Sequence, residues 1–129
     1  MKNLKKLTNQ EKRACLTAFG QAWAAADVGL LMSMMTNDCV YAASVGDEPG
    51  TTYRGNEEVR RGFAEILAFE SGGEARSGRV WISGEFAFAE WSYDEIDEAG
   101  NITDIKGVDI FEFVGDKLRL KDAYRKVSY

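Results

Sequence analysis

A chain of 129 residues, with 45% hydrophobic and 29% charged side chains, has the size and mixture of one globular domain with a real core. Its formal charge of -5, from 21 acidic and 16 basic residues, and the lack of a basic stripe exclude nucleic acid as an expected partner. No stretch has the length and apolarity of a membrane span, and the polar, basic residues 1–8 lead into no apolar run, so no signal peptide, no membrane partner and a cytoplasmic location are expected.

Thr8, followed three residues on by Glu11, reads as a capping box. Leu16, Phe19, Trp23 and Ala26 then recur at helical spacing and predict a helix over 9–26. A short second helix follows from Asp27, with Leu30, Leu31, Met34 and Met35 as its apolar side and Asn37 and Asp38 as its stop. Residues 39–43 read as a short strand, and 44–54 as a loop carrying Gly46, Pro49 and Gly50. A third helix starts at Gly55 or Asn56 and runs to about Phe69, burying Val59, Phe63, Ile66 and Leu67, until Ser71, Gly72 and Gly73 break it. Four strands complete the chain, over 75–83, 85–95, 102–113 and 117–127, with glycines or acidic turn residues between them. Helices first and strands after, without alternation, predict a single α+β domain over 1–129: a curved antiparallel sheet with the helices across its concave side.

The chain has no histidine, which removes the commonest neutral-pH base and the commonest metal ligand. Acid–base chemistry is left to carboxylates, tyrosine, cysteine or lysine. Cys15 and Cys39 are too few for a disulfide framework and are expected as buried free thiols. No metal site and no cofactor are expected. The glycines form neither a dinucleotide nor a phosphate loop, and Asp94, Glu95, Asp97 and Glu98 surround a turn without calcium-loop spacing.

The order of elements resembles the superfamily that includes nuclear transport factor 2, ketosteroid isomerase and the SnoaL-like polyketide cyclases. Three segments carry the resemblance: 19–45, with its turn at Asp27 and its Met-rich short helix; Tyr53-Arg54-Gly55-Asn56-Glu57-Glu58-Val59; and 107–113 with Lys117-Leu118 and Asp122-Ala123-Tyr124 after the turn. The resemblance implies a cone-shaped sheet whose wide end keeps an apolar pocket, as a strongly bent sheet against helices does in general.

Alternation places Asp109, Phe111 and Phe113 on one face of their strand, and the aromatic pair marks that face as the interior. The resemblance sets Asp109 at the position of the isomerase's protonated aspartic acid, which donates a hydrogen bond in the oxyanion hole; a purely structural Asp109, paired with an arginine or a helix end, is the alternative. Between residues 86 and 93 two faces are open, one with Phe86, Phe88, Glu90 and Ser92, the other with Ala87, Ala89, Trp91 and Tyr93. The isomerase pattern favours the first as interior, which makes Glu90 a second carboxylate in the pocket. That pattern also has two vacancies: Ala43 stands where the proton-shuttling aspartate belongs, and Phe19 where the second oxyanion-hole donor, a tyrosine, belongs. Tyr41 faces inward and offers a phenol. Phe19, Trp23, Tyr53, Phe63, Phe88 and Phe111 are expected to line the pocket. Lys121, Ala123 and Arg125 share one face of the last strand; the resemblance turns Arg125 inward, and a bulge after Lys117 reverses that.

Three functional readings follow. The first is a cofactor-free acid–base enzyme, a cyclase, isomerase or dehydratase, acting on a small apolar carbonyl or polyketide-like metabolite through Asp109, Glu90 and Tyr41. The second is a non-catalytic binder of a small apolar organic ligand. The third is a structural or interaction module using the convex face of the sheet, made apolar by Trp81, Trp91, Tyr93, Val108 and Ile110. Apolar residues on both faces of the sheet point to a homodimer.

Overall fold

The computed structural model describes residues 6–47, 49–69 and 75–126. Helix α1 spans Asn9–Ala24 and opens on the expected capping box: Thr8 Oγ1 accepts from the Glu11 N–H at 3.1 Å, and Glu11 Oε1 accepts from the Thr8 N–H at 3.0 Å. It buries Leu16, Phe19 and Ala22. The helix stops short of Ala26, which turns into the left-handed region at φ 54°. The Asp27 N–H then reaches back to the Ala22 carbonyl, and the Ala26 N–H to that of Trp23, the paired bonds that close a helix. Asp27 at once caps the next helix, its carboxylate accepting from the Leu30 N–H at 3.1 Å.

Helix α2, Val28–Ser33, is shorter than its apolar pattern suggests, and strand β1 covers Met35–Ala42. Asn37 and Asp38, expected as a helix stop, therefore lie inside a strand, and Met35 is a buried strand residue paired with Leu118. The last strand takes hold of this segment: the Leu118 N–H donates to the Met34 carbonyl at 2.9 Å, where another helical turn would have begun. A short edge strand, β2, Thr52–Arg54, pairs with β1 inside the region read as a loop. Helix α3, Gly55–Phe69, has the expected bounds; the break read at 71–73 lies outside the described residues.

Strands β3, Arg76–Ser83, β4, Phe86–Ile96, β5, Ile102–Val114, and β6, Lys117–Arg125, follow close to their expected positions. The sheet order is β2-β1-β6-β5-β4-β3. It is antiparallel except where β1 meets β6, a parallel pair made possible by the long excursion through α3 and four strands. Gly84 and Gly115, at φ 59° and 61°, open two-residue turns between β3 and β4 and between β5 and β6. The β5–β6 ladder has one irregularity. Phe113 pairs with Leu118 but Glu112 with Leu120, so Arg119 is an unpaired bulge residue. Its guanidinium grips Glu112 through bonds of 3.0 and 2.8 Å.

The sheet curves over the helices without closing. Between them lies a core that includes Phe19, Leu31, Val59, Phe63, Phe111, Phe113 and Leu118. Lys12 ties α1 to the far hairpin: it is only 3% exposed and donates to the Gly84 carbonyl at 2.6 Å.

Candidate functional site

The register fixes which side chains look inward. Asp109, Phe111 and Phe113 are buried under the helices, as their alternation predicts. On β4 the partners of Phe111 and Asp109 are Ala87 and Ala89. Opposed residues of an antiparallel ladder project from the same face, so Ala87, Ala89, Trp91 and Tyr93 line the concave side. Phe86, Phe88, Glu90 and Ser92 lie on the convex side.

The expected placement of Phe88 and Glu90 in the interior, and of Trp91 and Tyr93 on the convex face, is thereby corrected: one step of register moves a whole strand's side chains to the other face, and the pairing with β5 makes that choice. Glu90 instead closes on Arg79, accepting from its Nε at 2.8 Å, its terminal nitrogen at 3.1 Å and its backbone N–H at 3.1 Å. The Arg79 side chain, then its backbone N–H, hold the Glu90 carboxyl below its usual range, away from what a base at neutral pH needs.

Asp109 has two partners that sequence reasoning did not assign to it. Trp91 Nε1 donates to Oδ1 at 2.9 Å, and Lys121 Nζ donates to Oδ2 at 3.1 Å. The Lys121 ammonium also lies 4.4 Å from the centre of the Trp23 ring and 5.1 Å from that of Tyr41. An apolar interior holds a charge only when it is paired and hydrogen-bonded, and each member here supplies that for the other. Trp91 reaches Asp109 across Gly107, where a β-carbon would collide with the indole ring and the Tyr124 carbonyl. The side chains of Asp109 and Lys121 stay 12% and 7% exposed, so the pair is not sealed off.

Six of the expected residues gather beside this pair. Phe19 packs on Phe111 and Phe63, Trp23 on Phe63 and Tyr41, and Tyr41 on Tyr53, with ring centres 4.9 to 6.3 Å apart through the cluster. These rings fill the deep end of the cone. The Tyr53 hydroxyl donates to Glu65 at 3.2 Å, and burial, then that carboxylate, raise its pKa above the ordinary tyrosine value. Exposure rises along the concave strands from Phe113 to Asp109 on β5, from Leu118 through Lys121 to Arg125 on β6, and from Ala87 to Tyr93 on β4, while Ile105, opposite Tyr93, is buried again. Arg125 faces inward opposite Gly107, with its guanidinium 3.7 Å from Glu95; the bulge at Arg119, expected to turn it outward, is what turns it inward.

Other features have local explanations. Among the described residues, one recess of about 560 Å³ is bordered by Arg79, Glu90, Trp91, Gly107, Tyr124 and Arg125, and one of about 460 Å³ lies beside α2 and β1. In the acidic turn, Asp97 accepts from the Ala99 and Asn101 N–H groups and the Asn101 side chain, which lower its pKa. Asp94 pairs with Arg76 at 3.1 Å. Cys15 and Cys39 are free thiols, and burial raises the pKa of both.

The register could not be read without the strand pairing, but two signals pointed at the missed residues. Lys121 shares a face with Arg125, and small residues at 87 and 89 leave room for a helix layer on the Trp91 side.

A sheet bent over three helices among the described residues, with the Asp109–Lys121 pair buried on its concave side, is the NTF2-like α+β cone. The chain belongs to the SnoaL-like domain family, whose model matches residues 16–120. No curated protein sequence matches it. An NTF2-like protein of unknown function from Mesorhizobium loti has the same fold at a TM-score of 0.75 and 16% identity, covering 96% of this chain and 100% of its own. TerC, co-crystallised with polyporic acid, is similar at a TM-score of 0.74 and 12% identity, over 90% and 92% of the two chains. The epoxide hydrolase/cyclase-like enzyme SalBIII, with a role in pyran ring formation in the polyether salinomycin, is similar at 0.74 and 14% identity, over 92% of each chain.

Proposed function

We propose that this chain is a cofactor-free acid–base enzyme of cyclase, isomerase or dehydratase type, acting on a small, largely apolar carbonyl compound at the Asp109–Lys121 pair. The pair carries the reading: a carboxylate and an ammonium 3.1 Å apart, set among aromatic rings yet still reached by solvent. Each Asp109 oxygen keeps a lone pair beyond its bond to Trp91 or Lys121, so the carboxylate can take a proton alpha to a carbonyl. Lys121, steadied by Trp23 and Tyr41, would then meet the oxygen on which negative charge develops. Glu90 has no part in this scheme. Family membership supports the reading at the level of the fold.

A second reading, a non-catalytic binder, is favoured by one observation: both Asp109 oxygens already accept protein hydrogen bonds. Exchange of the α-protons of 2-tetralone in deuterated buffer, followed by NMR, separates the two. The enzyme should accelerate exchange over buffer, and Asp109→Asn, shown folded by circular dichroism, should lose roughly 100-fold to 10,000-fold of that acceleration. Exchange no faster than buffer, or equally fast in the variant, would leave the binder reading in its place.

The proposal includes a homodimer formed through the convex face. Trp81, Phe86 and Tyr124 are exposed there. The charges Arg79 and Arg119 are matched within the same face by Glu90 and Glu112, so an identical surface meets little repulsion at those positions.

A further inference from the structure

Arg125 is the one inward cation of β6 that the Asp109–Lys121 scheme leaves without a task. Its Nε is buried and has no hydrogen-bond partner, and its terminal nitrogen is 3.7 Å from Glu95, beyond hydrogen-bond reach. No hydrogen bond from this guanidinium appears among the described residues, although the group presents five donors in a planar fork suited to a carboxylate. A buried donor left open is unfavourable, and its companions here are those of a ligand site. Arg125 lies across Gly107 from Trp91, whose indole covers that glycine, and Trp91 stacks on Tyr93 with ring centres 5.9 Å apart and planes 17° apart. Guanidinium and stacked rings thus share the half-exposed part of the concave face. Gly107 is the next inward position after Asp109 on β5, a step of about 7 Å. That is the width of roughly one fused ring system.

We propose that the ligand carries an acid group, a carboxylate, which Arg125 binds while the ligand's apolar body rests on the Trp91–Tyr93 stack. This builds on the reading of the concave face as the ligand site and changes the expected ligand from apolar to acidic: a cyclic or aromatic carboxylate whose carbonyl end reaches toward Lys121.

The test compares 2-naphthoate with its uncharged isostere 2-naphthamide by calorimetric titration. Wild-type protein should bind the acid about tenfold or more tightly than the amide. Arg125→Gln should abolish that preference by weakening the acid far more than the amide, whose carbonyl lacks the charge, and Arg125→Lys should keep part of it. Glu95→Gln, at an exposed position, should tighten acid binding several-fold by removing the competing carboxylate. Equal affinity for the two probes, no binding of either, or a preference that survives Arg125→Gln each overturns the proposal. An acid preference lost in Lys121→Met but kept in Arg125→Gln overturns it too, since the anchor is then Lys121. Because proton exchange on neutral 2-tetralone does not call on Arg125, failure here leaves the acid–base reading standing, and failure there leaves this one standing.

Discussion

For Asp109 and Lys121, losing one charge is worse than losing both. The ammonium is held by one carboxylate and two ring faces, and the carboxylate by one ammonium and one indole N–H. Lys121→Met leaves a nearly buried carboxylate without its counter-charge and should lower stability by about 3–5 kcal/mol. Adding Asp109→Leu to that variant should recover most of the loss, because two apolar side chains of suitable volume need no partner. Urea unfolding of the two single variants and the double variant measures the coupling, and additive losses would show that the residues do not act as a pair. Asp109 was legible as an inward acid because Phe111 and Phe113 share its side of the strand. Its partners were not. Lys121 and Trp91 meet Asp109 only through the registers of two different ladders, and neither register is set by local sequence.

Among the elements, the junction of α1 and α2 has a clear internal tension. Ala26 occupies a left-handed position that an L-residue with a β-carbon enters at a penalty, yet the two closing hydrogen bonds and the Asp27 cap both depend on it. Ala26→Gly should therefore stabilise the protein by about 1 kcal/mol, raising the melting temperature by roughly 3–5 °C in a calorimetric scan. A lower melting temperature would mean that glycine's greater freedom in the unfolded chain outweighs the relief. The start of α1, all of α3 and the four long strands were readable from caps, periodicity and glycines. The end of α2 was not, because Met34 and Met35 continue its apolar side and only the Leu118 N–H, from the other end of the chain, ends it. The two faces of β4 were equally apolar, Phe86 and Phe88 against Trp91 and Tyr93, so alternation alone offered no choice.

For the whole molecule, that two-sidedness is what the proposed dimer explains. Aromatic residues on the convex face are unnecessary in a lone α+β domain and useful where two sheets meet. Light scattering at micromolar concentration should report about twice the 14.3 kDa chain mass, and Trp81→Asp should move it to the single-chain value without loss of secondary structure. A single-chain mass for the parent would remove the dimer. The bulge at Arg119 has the widest reach of any single residue. Counted back from Val114 and Lys117 without it, Phe111 would face Leu120 and Asp109 would face Asp122. Two acids would then share the space beneath the helices, and Lys121 and Arg125 would point to the outside. The polarity of the cone's lining is thus encoded as a parity: taking Arg119 into the ladder, with the sequence unchanged, would exchange the inward cations of β6 for an inward acid, whereas deleting Arg119 would keep every pair in place.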